Sequence, residues 1–357
     1  METINNILFI TPFQYGYNTD SYHYCELLTK TYNVFYIGID CGKETIYSLN
    51  RVNVYSITKA SHKWKRFKEL FGLVLQLQRK YKFKKNIVFY FPFCSLLLLI
   101  LTRSSTIMDI RTSSIFGKYK AFVLNTLLRI ESYMFKRVTI ISDGLIDFLK
   151  LQKSKCDILP LGGEFVDFFD RKEMRMSLLY VGTLYDRHVE KTIEGLALFL
   201  KKNPTIYVKY TIIGVGTIED VDCIKNTIKN NSLENNVFFA GEKRYKELLP
   251  YYKTHDVGVS YIPMKTYYDC QPPTKTYEYL LNGMVVVATP TSENKKVINQ
   301  SNGILLSSDS IQDFTEGLEN LKHRIKSFKS STIYMNAQQY SWEQIVKMTL
   351  INILMKE

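Results

Sequence analysis

The sequence is poor in acidic residues, in histidine and in paired cysteines, and it has no apolar stretch long enough to span a bilayer. Its six cysteines, Cys25, Cys41, Cys94, Cys156, Cys223 and Cys270, are dispersed with no CxxC pair. No secretory signal precedes the first strand-like run, so the spacing predicts reduced thiols and a cytoplasmic chain rather than a disulfide framework. The five histidines, His23, His62, His188, His255 and His323, lack metal-ligand spacing, and no resident metal or cofactor is expected. The longest apolar run, Ile87 to Leu101, contains Pro92 and falls short of the about 20 residues that cross a bilayer, so it reads as a buried strand followed by a core helix. There is no nucleophilic serine elbow, no repeat and no low-complexity segment. Gly214-Val-Gly216 follows a strand and opens toward a helix, but Glu219 stands where a dinucleotide fingerprint needs its third glycine, and the pair reads as a tight turn.

The shortage of acid is local. The net charge is +13, and residues 1–165 hold 23 Lys+Arg against 12 Asp+Glu, leaving 24 against 22 for the remainder. Lys63, Lys65, Arg66, Lys68, Arg79, Lys80, Lys82, Lys84 and Lys85 face only Glu69, and Trp64, Phe67, Phe71, Tyr81 and Phe83 are interleaved with them. This pattern suits an amphipathic surface on anionic lipid, or a solvated basic face. No nucleic-acid recognition motif accompanies it, and nucleic acid is not an expected partner.

A chain of 357 residues is too long for one ordinary core and fits two domains of about 150 residues each. Strands and helices alternate throughout. Gly162-Gly163 ends a first lobe, and the second repeats the rhythm more regularly from Leu178 to Leu321. Strand, helix, strand at such spacing predicts an α/β fold with parallel, doubly wound sheets, whose ligands belong at the carboxyl ends of the strands.

The stretch TYYDCQPPTKTYEYLLNGMVVVATP, residues 266–290, concentrates the chemistry. Pro272-Pro273 stops one helix and suits the start of another, with Thr274 as a neighbouring cap. Tyr277, Leu280 and Leu281 share an apolar face, Asn282-Gly283 ends the helix, and a valine-rich buried strand follows. Free N–H groups at such a helix start attract an anion, and Arg187, just after the strand 178–181, would neutralise it. A carboxylate in the next turn, Glu278, can accept both hydroxyls of a ribose. A nucleoside diphosphate fits that description. Residue pattern alone equally allows Glu278 and Arg187 to be ordinary solvated side chains.

Four segments, LLYVGTLYDRHVEKTIEGL (178–196), YTIIGVGTIEDV (210–221), VFFAGEKRYKELLPYYKTHDVGVSYIP (237–263) and PPTKTYEYLLNGMVVVAT (272–289), resemble the family 4 (group 1) retaining glycosyltransferases. VTIISDGL and ILPLGGEFVDF in the first lobe, and Tyr340-Ser-Trp-Glu343 near the end, are similar to further segments of that family. The resemblance implies the GT-B fold, two Rossmann-like doubly wound lobes facing a central cleft. Residues 1–165 would bind acceptor, 166–332 nucleotide sugar, and 333–357 would form a helix returning to the first lobe. It implies metal-independent transfer of a hexose, with retention, from a nucleoside-diphosphate sugar to a saccharide. With the basic first lobe, the acceptor is expected to be lipid-linked, the work that of cell-surface polysaccharide assembly, and the protein peripheral at the inner face of the membrane.

The departures from the family pattern fix the expected site. Glu278 matches the second of the family's two glutamates, but Cys270 replaces the first, so donor-sugar contacts pass to Asp269 or to the stretch Cys270, Gln271 and Pro273. Thr183 stands where relatives carry an arginine, beside Gly182, leaving Arg187 as the phosphate cation. Asp109 and Arg111, at the end of a first-lobe strand, are candidates for acceptor positioning, or else an internal ion pair. Gly16 stands alone where a glycine pair is common, and Tyr15, Tyr17 and Asn18 around it are candidates for the acceptor site. An epimerase of the same fold and a non-catalytic nucleotide-sugar-binding protein remain as alternatives, the second because of Cys270 and Thr183.

Overall fold

The structure, a computed structural model, describes residues 5–58, 63–102, 105–114, 117–164 and 168–356. The chain forms two compact units, Met1–Leu161 with Trp342–Glu357, and Gly162–Ser341. The expected boundary at 165/166 lies outside the described residues. The expected tail at 333 begins within α13 (Ser330–Ala337), and the return to the first unit starts at Trp342.

The first unit runs β1 (Asn6–Ile10), α1 (Thr19–Leu28), β2 (Asn33–Ile39), β3 (Asn53–Ile57), α2 (Lys63–Lys80), β4 (Phe83–Phe89), α3 (Cys94–Leu101), β5 (Ser105–Ile110), α4 (Lys118–Met134), β6 (Arg137–Ile140), α5 (Asp143–Leu149) and β7 (Cys156–Ile158). The strands pair in parallel in the order β3-β2-β1-β4-β5-β6-β7. Successive side chains of β1 point to opposite faces, so the strand is apolar throughout. Leu8 and Ile10 pack with Leu70, Val74 and Leu77 of α2 and Leu98 of α3. Ile7 and Phe9 pack with Tyr24 and Leu28 of α1 and with Trp342, Val346, Leu350 and Leu354 of the C-terminal segment. Right-handed crossovers put α2, α3 and α4 on one face and α1 on the other, because the chain reverses direction across the sheet after β3.

Two expectations change here. The strand expected from Ile87 begins at Phe83, and Lys85 lies buried within it, its ammonium donating to the Lys356 carbonyl at 2.8 Å. It is therefore not part of a basic surface, and neither are most of the interleaved aromatics, since Phe83 is buried and Phe71 and Tyr81 pack against the core. The supposed core helix α3 buries only Cys94, Ser95 and Leu98 and leaves Leu97 and Ile100 exposed. No helix among the described residues is long and apolar enough to cross a membrane.

The second unit runs β8 (Ser177–Thr183), α6 (Glu190–Lys202), β9 (Lys209–Val215), α7 (Ile218–Asn230), β10 (Val237–Gly241), α8 (Tyr245–Thr254), β11 (Val257–Ser260), α9 (Thr266–Asp269), α10 (Thr274–Leu281), β12 (Val285–Ala288), α11 (Ser292–Val297), β13 (Gly303–Leu305) and α12 (Ile311–Arg324), then α13. Its parallel order is β10-β9-β8-β11-β12-β13. The order reverses between β8 and β11, which opens a crevice at their carboxyl ends. The loops leaving these two strands carry the residues 184–189 and 261–273.

The last segment, α14 (Trp342–Ile345), a π-helical turn at Val346–Leu350 and α15 (Ile351–Met355), belongs to the first unit.

Candidate active site

At the crevice, two cations come together, neither with an ion pair among the described residues. Lys275 is the second residue of α10, and its ammonium stands 3.7 Å from the centre of the Tyr180 ring in β8. Arg187, in the loop after β8, lays its guanidinium over the Tyr268 ring at 3.8 Å. The Arg187 Nη1 is buried with no hydrogen-bond partner, and neither side chain has an ion pair among the described residues. Lys275 is part-exposed as a residue, but protein surrounds its ammonium. Burial, reinforced by Arg187 and opposed by Glu278, pushes its pKa well below the ordinary lysine value. Two like charges in a partly desolvated crevice are costly unless an anion joins them.

Backbone groups aim at the same place. Pro273, not Thr274, is the N-cap of α10, and no side chain caps the helix, so its first amides remain as donors. Gly182, at φ 152°, makes room for Lys275, since a Cβ there would lie 2.9 Å from Nζ. Thr183 turns away, its hydroxyl donating to the Val215 carbonyl at 3.3 Å. Glu278, one turn after Lys275, accepts from the Tyr252 hydroxyl at 2.9 Å. Behind it the buried Tyr279 accepts the Val181 N–H at 2.8 Å and locks α10 to β8. Gly258 permits this approach, because a Cβ there would meet the Tyr279 ring at 2.1 Å.

The loop that carries Tyr268 is pinned by Asp186. Its carboxylate takes the Lys265 ammonium and the hydroxyls of Tyr267 and Tyr268. Burial works against its charge, but these partners outweigh it and hold the carboxyl below its ordinary range. Asp269 is committed elsewhere, accepting from the Ser292 N–H at 2.8 Å and from its hydroxyl, which fixes the start of α11. Cys270 is buried, its Sγ 3.6 Å from the Tyr267 carbonyl, and burial pushes its thiol up to about 11. The position of the family's first glutamate is thus a neutral thiol. Gln271 is half-buried beside it, and Pro273 ends the loop.

With this geometry in place, residues 175–323 match the family model described as glycosyl transferases group 1. The second unit is a group 1 glycosyltransferase domain. No curated protein matches the sequence. Over the whole chain, the fold is shared with the sucrose-phosphate synthase of Thermosynechococcus elongatus, at TM-score 0.73, 15% identity and 98% coverage of both chains. A glycosyltransferase from Rickettsia africae ESF-5 superposes at TM-score 0.74 and 12% identity, again covering 98% of both. The HepE protein of Anabaena, solved in complex with UDP, superposes at TM-score 0.73 and 14% identity, over 98% of this chain and 99% of that one. These likenesses give the GT-B fold, with its two Rossmann-like lobes.

In the first unit, most of the expected acceptor residues are engaged in contacts within the fold. Asp109 is 1% exposed, accepts from the Thr139 hydroxyl at 2.6 Å and pairs with Arg111 Nε at 2.7 Å. Arg111 donates to the Leu159 carbonyl at 3.0 Å and reaches Asp20 at 3.5 Å. This is the internal ion pair, extended by Asp20, and Asp109 offers no surface to a substrate. Tyr15 is buried and donates its hydroxyl to Glu26. Asn18 caps α1 by accepting from the Ser21 N–H at 2.9 Å. Gly16, at φ 84°, packs against Ile46, where a Cβ would clash. Only Tyr17 exposes its ring, with Lys43 Nζ 4.6 Å from its centre.

Sequence reasoning missed Lys275, Tyr268, Tyr180 and Asp186. Lys275 carried a signal, since it shares the N-terminal turns of α10 with Glu278 three positions later and must project from the same side of the helix.

Proposed function

We propose that the glycosyltransferase moves a hexose, with retention of configuration and without a bound metal, from a nucleoside-diphosphate sugar to a lipid-linked saccharide at an anionic membrane surface. The observation that carries the donor assignment is the pair Arg187 and Lys275 at the start of α10, neither of which has an ion pair among the described residues. A diphosphate supplies the missing anion, and both cations gain a partner on binding. Glu278 accepts hydroxyls of the ribose, and its Tyr252 hydrogen bond orients it. When the glycosidic bond breaks, negative charge grows on the leaving diphosphate. Arg187, Lys275 and the α10 amides stabilise that charge, which is the main requirement of such a reaction. The UDP in the Anabaena neighbour supports a nucleoside diphosphate as the ligand class. Donor-sugar recognition falls to Gln271, Pro273 and the backbone of Cys270, with Asp269 held away in its bond to Ser292. The basic first lobe supports a membrane-bound acceptor, an assignment for work in cell-surface polysaccharide assembly at the inner face of the membrane.

Incubation with a panel of nucleotide sugars tests this reading, with release of nucleotide that depends on an added acceptor as the expected result. An epimerised donor without release would instead mean an epimerase, and binding without turnover a non-catalytic protein. Glu278→Ala is expected to raise the donor KM roughly tenfold or more, as loss of charged hydrogen bonds worth about 1.5–3 kcal/mol predicts. If Glu278→Ala and Arg187→Ala both leave donor binding and transfer unchanged, the site lies elsewhere. Gly182→Ala is expected to weaken donor binding by about tenfold through strain of about 1–3 kcal/mol and displacement of Lys275, measurable by calorimetry with the free nucleotide.

A further inference from the structure

The first unit carries an apolar surface that its core does not use. At the N-cap of α3 and along the helix, Phe93, Leu97 and Ile100 are 69%, 47% and 78% exposed, and on α4, Phe122, Ile130 and Met134 are 70%, 55% and 65% exposed. Within each helix these residues recur at helical spacing, so each helix presents one apolar stripe to solvent in addition to the stripe it buries. Such helices are unusual on a soluble surface, where large contiguous apolar patches mark a binding face. The two helices pack side by side on one face of the sheet, with α2 on the other flank of α3.

The charge around this surface says what covers it. Between residues 63 and 137 there are 16 Lys+Arg and 3 Asp+Glu, the acids being Glu69, Asp109 and Glu131. Asp109 and Glu131 are each 1% exposed. Glu131 is spent on the start of α3, where it accepts the Phe93 N–H at 2.8 Å. Burial raises its pKa against that backbone bond, and the carboxyl faces no solvent. Exposed Lys65 and Lys68 lie toward one end of the helical layer, and Arg79, Lys80, Lys82 and Lys84 lie at the other, where α3 and α4 also terminate. An apolar strip framed at both ends by cations, with Asp109 and Glu131 withdrawn and the exposed acids Asp143 and Asp147 lying on the flanking α5, complements an anionic lipid interface: the cations meet headgroups and the strip enters the acyl boundary.

We propose that the α3–α4 face inserts into an anionic membrane, with the α2 and β4 cations acting as its electrostatic guides. Of the aromatic residues of α2, Phe71 packs against the core, whereas Trp64 is 85% exposed and lies at the Lys65 and Lys68 end of the helix. The proposal extends the membrane-bound acceptor assignment but is separable from it, because lipid binding is read without any acceptor.

Flotation of the full chain with vesicles of phosphatidylcholine containing phosphatidylglycerol tests it, at low and at 1 M salt. The chain should float at low salt and keep part of its binding at 1 M, where purely ionic attraction is screened. The variant Ile100→Ser, Phe122→Ser, Ile130→Ser should partition about a hundredfold less, and its residual binding should vanish in high salt. The charge variant Lys68→Gln, Arg79→Gln, Lys82→Gln, Lys84→Gln should instead lose the dependence on phosphatidylglycerol. Tyr207→Ser with Phe238→Ser, equally exposed in the second unit, should float as the unchanged chain does. Melting curves and nucleotide binding should be unaltered in all three. Unchanged flotation of the apolar variant would overturn the proposal, as would a chain that never floats. So would a dimer that the apolar variant converts to monomer without affecting flotation, because the face would then serve a second copy. Failure of transfer to a lipid-linked acceptor with flotation intact would count against the acceptor assignment alone.

Discussion

Replacing Lys275 by methionine is expected to lower kcat/KM for the nucleotide sugar by about 10²–10³-fold, the usual effect of removing one donor aimed at developing charge. Methionine keeps the length and the contact with Tyr180 and removes only the ammonium. The same residue predicts a dependence on pH. In the free protein its pKa is depressed by burial and by Arg187, and a bound diphosphate raises it again. Donor binding therefore takes up a proton: affinity is full below the free-state pKa and falls as pH rises through it, by up to about tenfold per pH unit. In Lys275→Met this part of the profile should be flat. Calorimetry with the nucleoside diphosphate in buffers of different ionisation enthalpy would reveal the proton directly, and an unchanged profile in the variant would assign it to another group.

Arg111→Met is expected to destabilise the first unit by about 3–5 kcal/mol, the cost of leaving a buried carboxylate unpaired and a large share of a typical domain's stability. Burial disfavours the Arg111 charge, but Asp109, Tyr24 and Asp20 outweigh it and keep the guanidinium protonated. Without it, Asp109 keeps only its Thr139 hydrogen bond and Asp20 loses its cation. Asp20 already has its pKa raised by burial against the pull of Arg111. In the variant Asp20 loses the pull of Arg111 and would titrate higher still in the folded state, so the variant's deficit relative to the parent should shrink as pH falls. Urea unfolding at neutral and acid pH measures this. A variant with unchanged stability but impaired acceptor KM would return Arg111 to the substrate.

Helix α10, Thr274–Leu281, was legible to within a residue, because its limits are set locally. Pro272-Pro273 forbids an earlier start, and Asn282-Gly283 supplies the turn, with Gly283 at φ 67°. The alternation of strands and helices was legible for the same reason, and it implied parallel sheets. Cys25 to Cys270 form no disulfide among the described residues. Helix α3 was misread: CSLLLLIL reads as core from composition, whereas Ile100 faces solvent. Composition states how apolar a helix is, not how many of its sides have neighbours.

The sequence by itself determined the two-lobe α/β plan, the place of Glu278 and the resemblance to group 1 glycosyltransferases, because each is written in short-range pattern. Only the tertiary structure distinguished Arg111 from Arg187. Each follows a parallel strand at its carboxyl end, and nothing in the local sequence separates them. Folding brings Asp109 and Asp20 to the first and neutralises it, while the second meets Tyr268 and shares a crevice with Lys275. Whether a charge holds the fold or awaits a ligand depends on the neighbours that distant segments deliver, and those are fixed by topology.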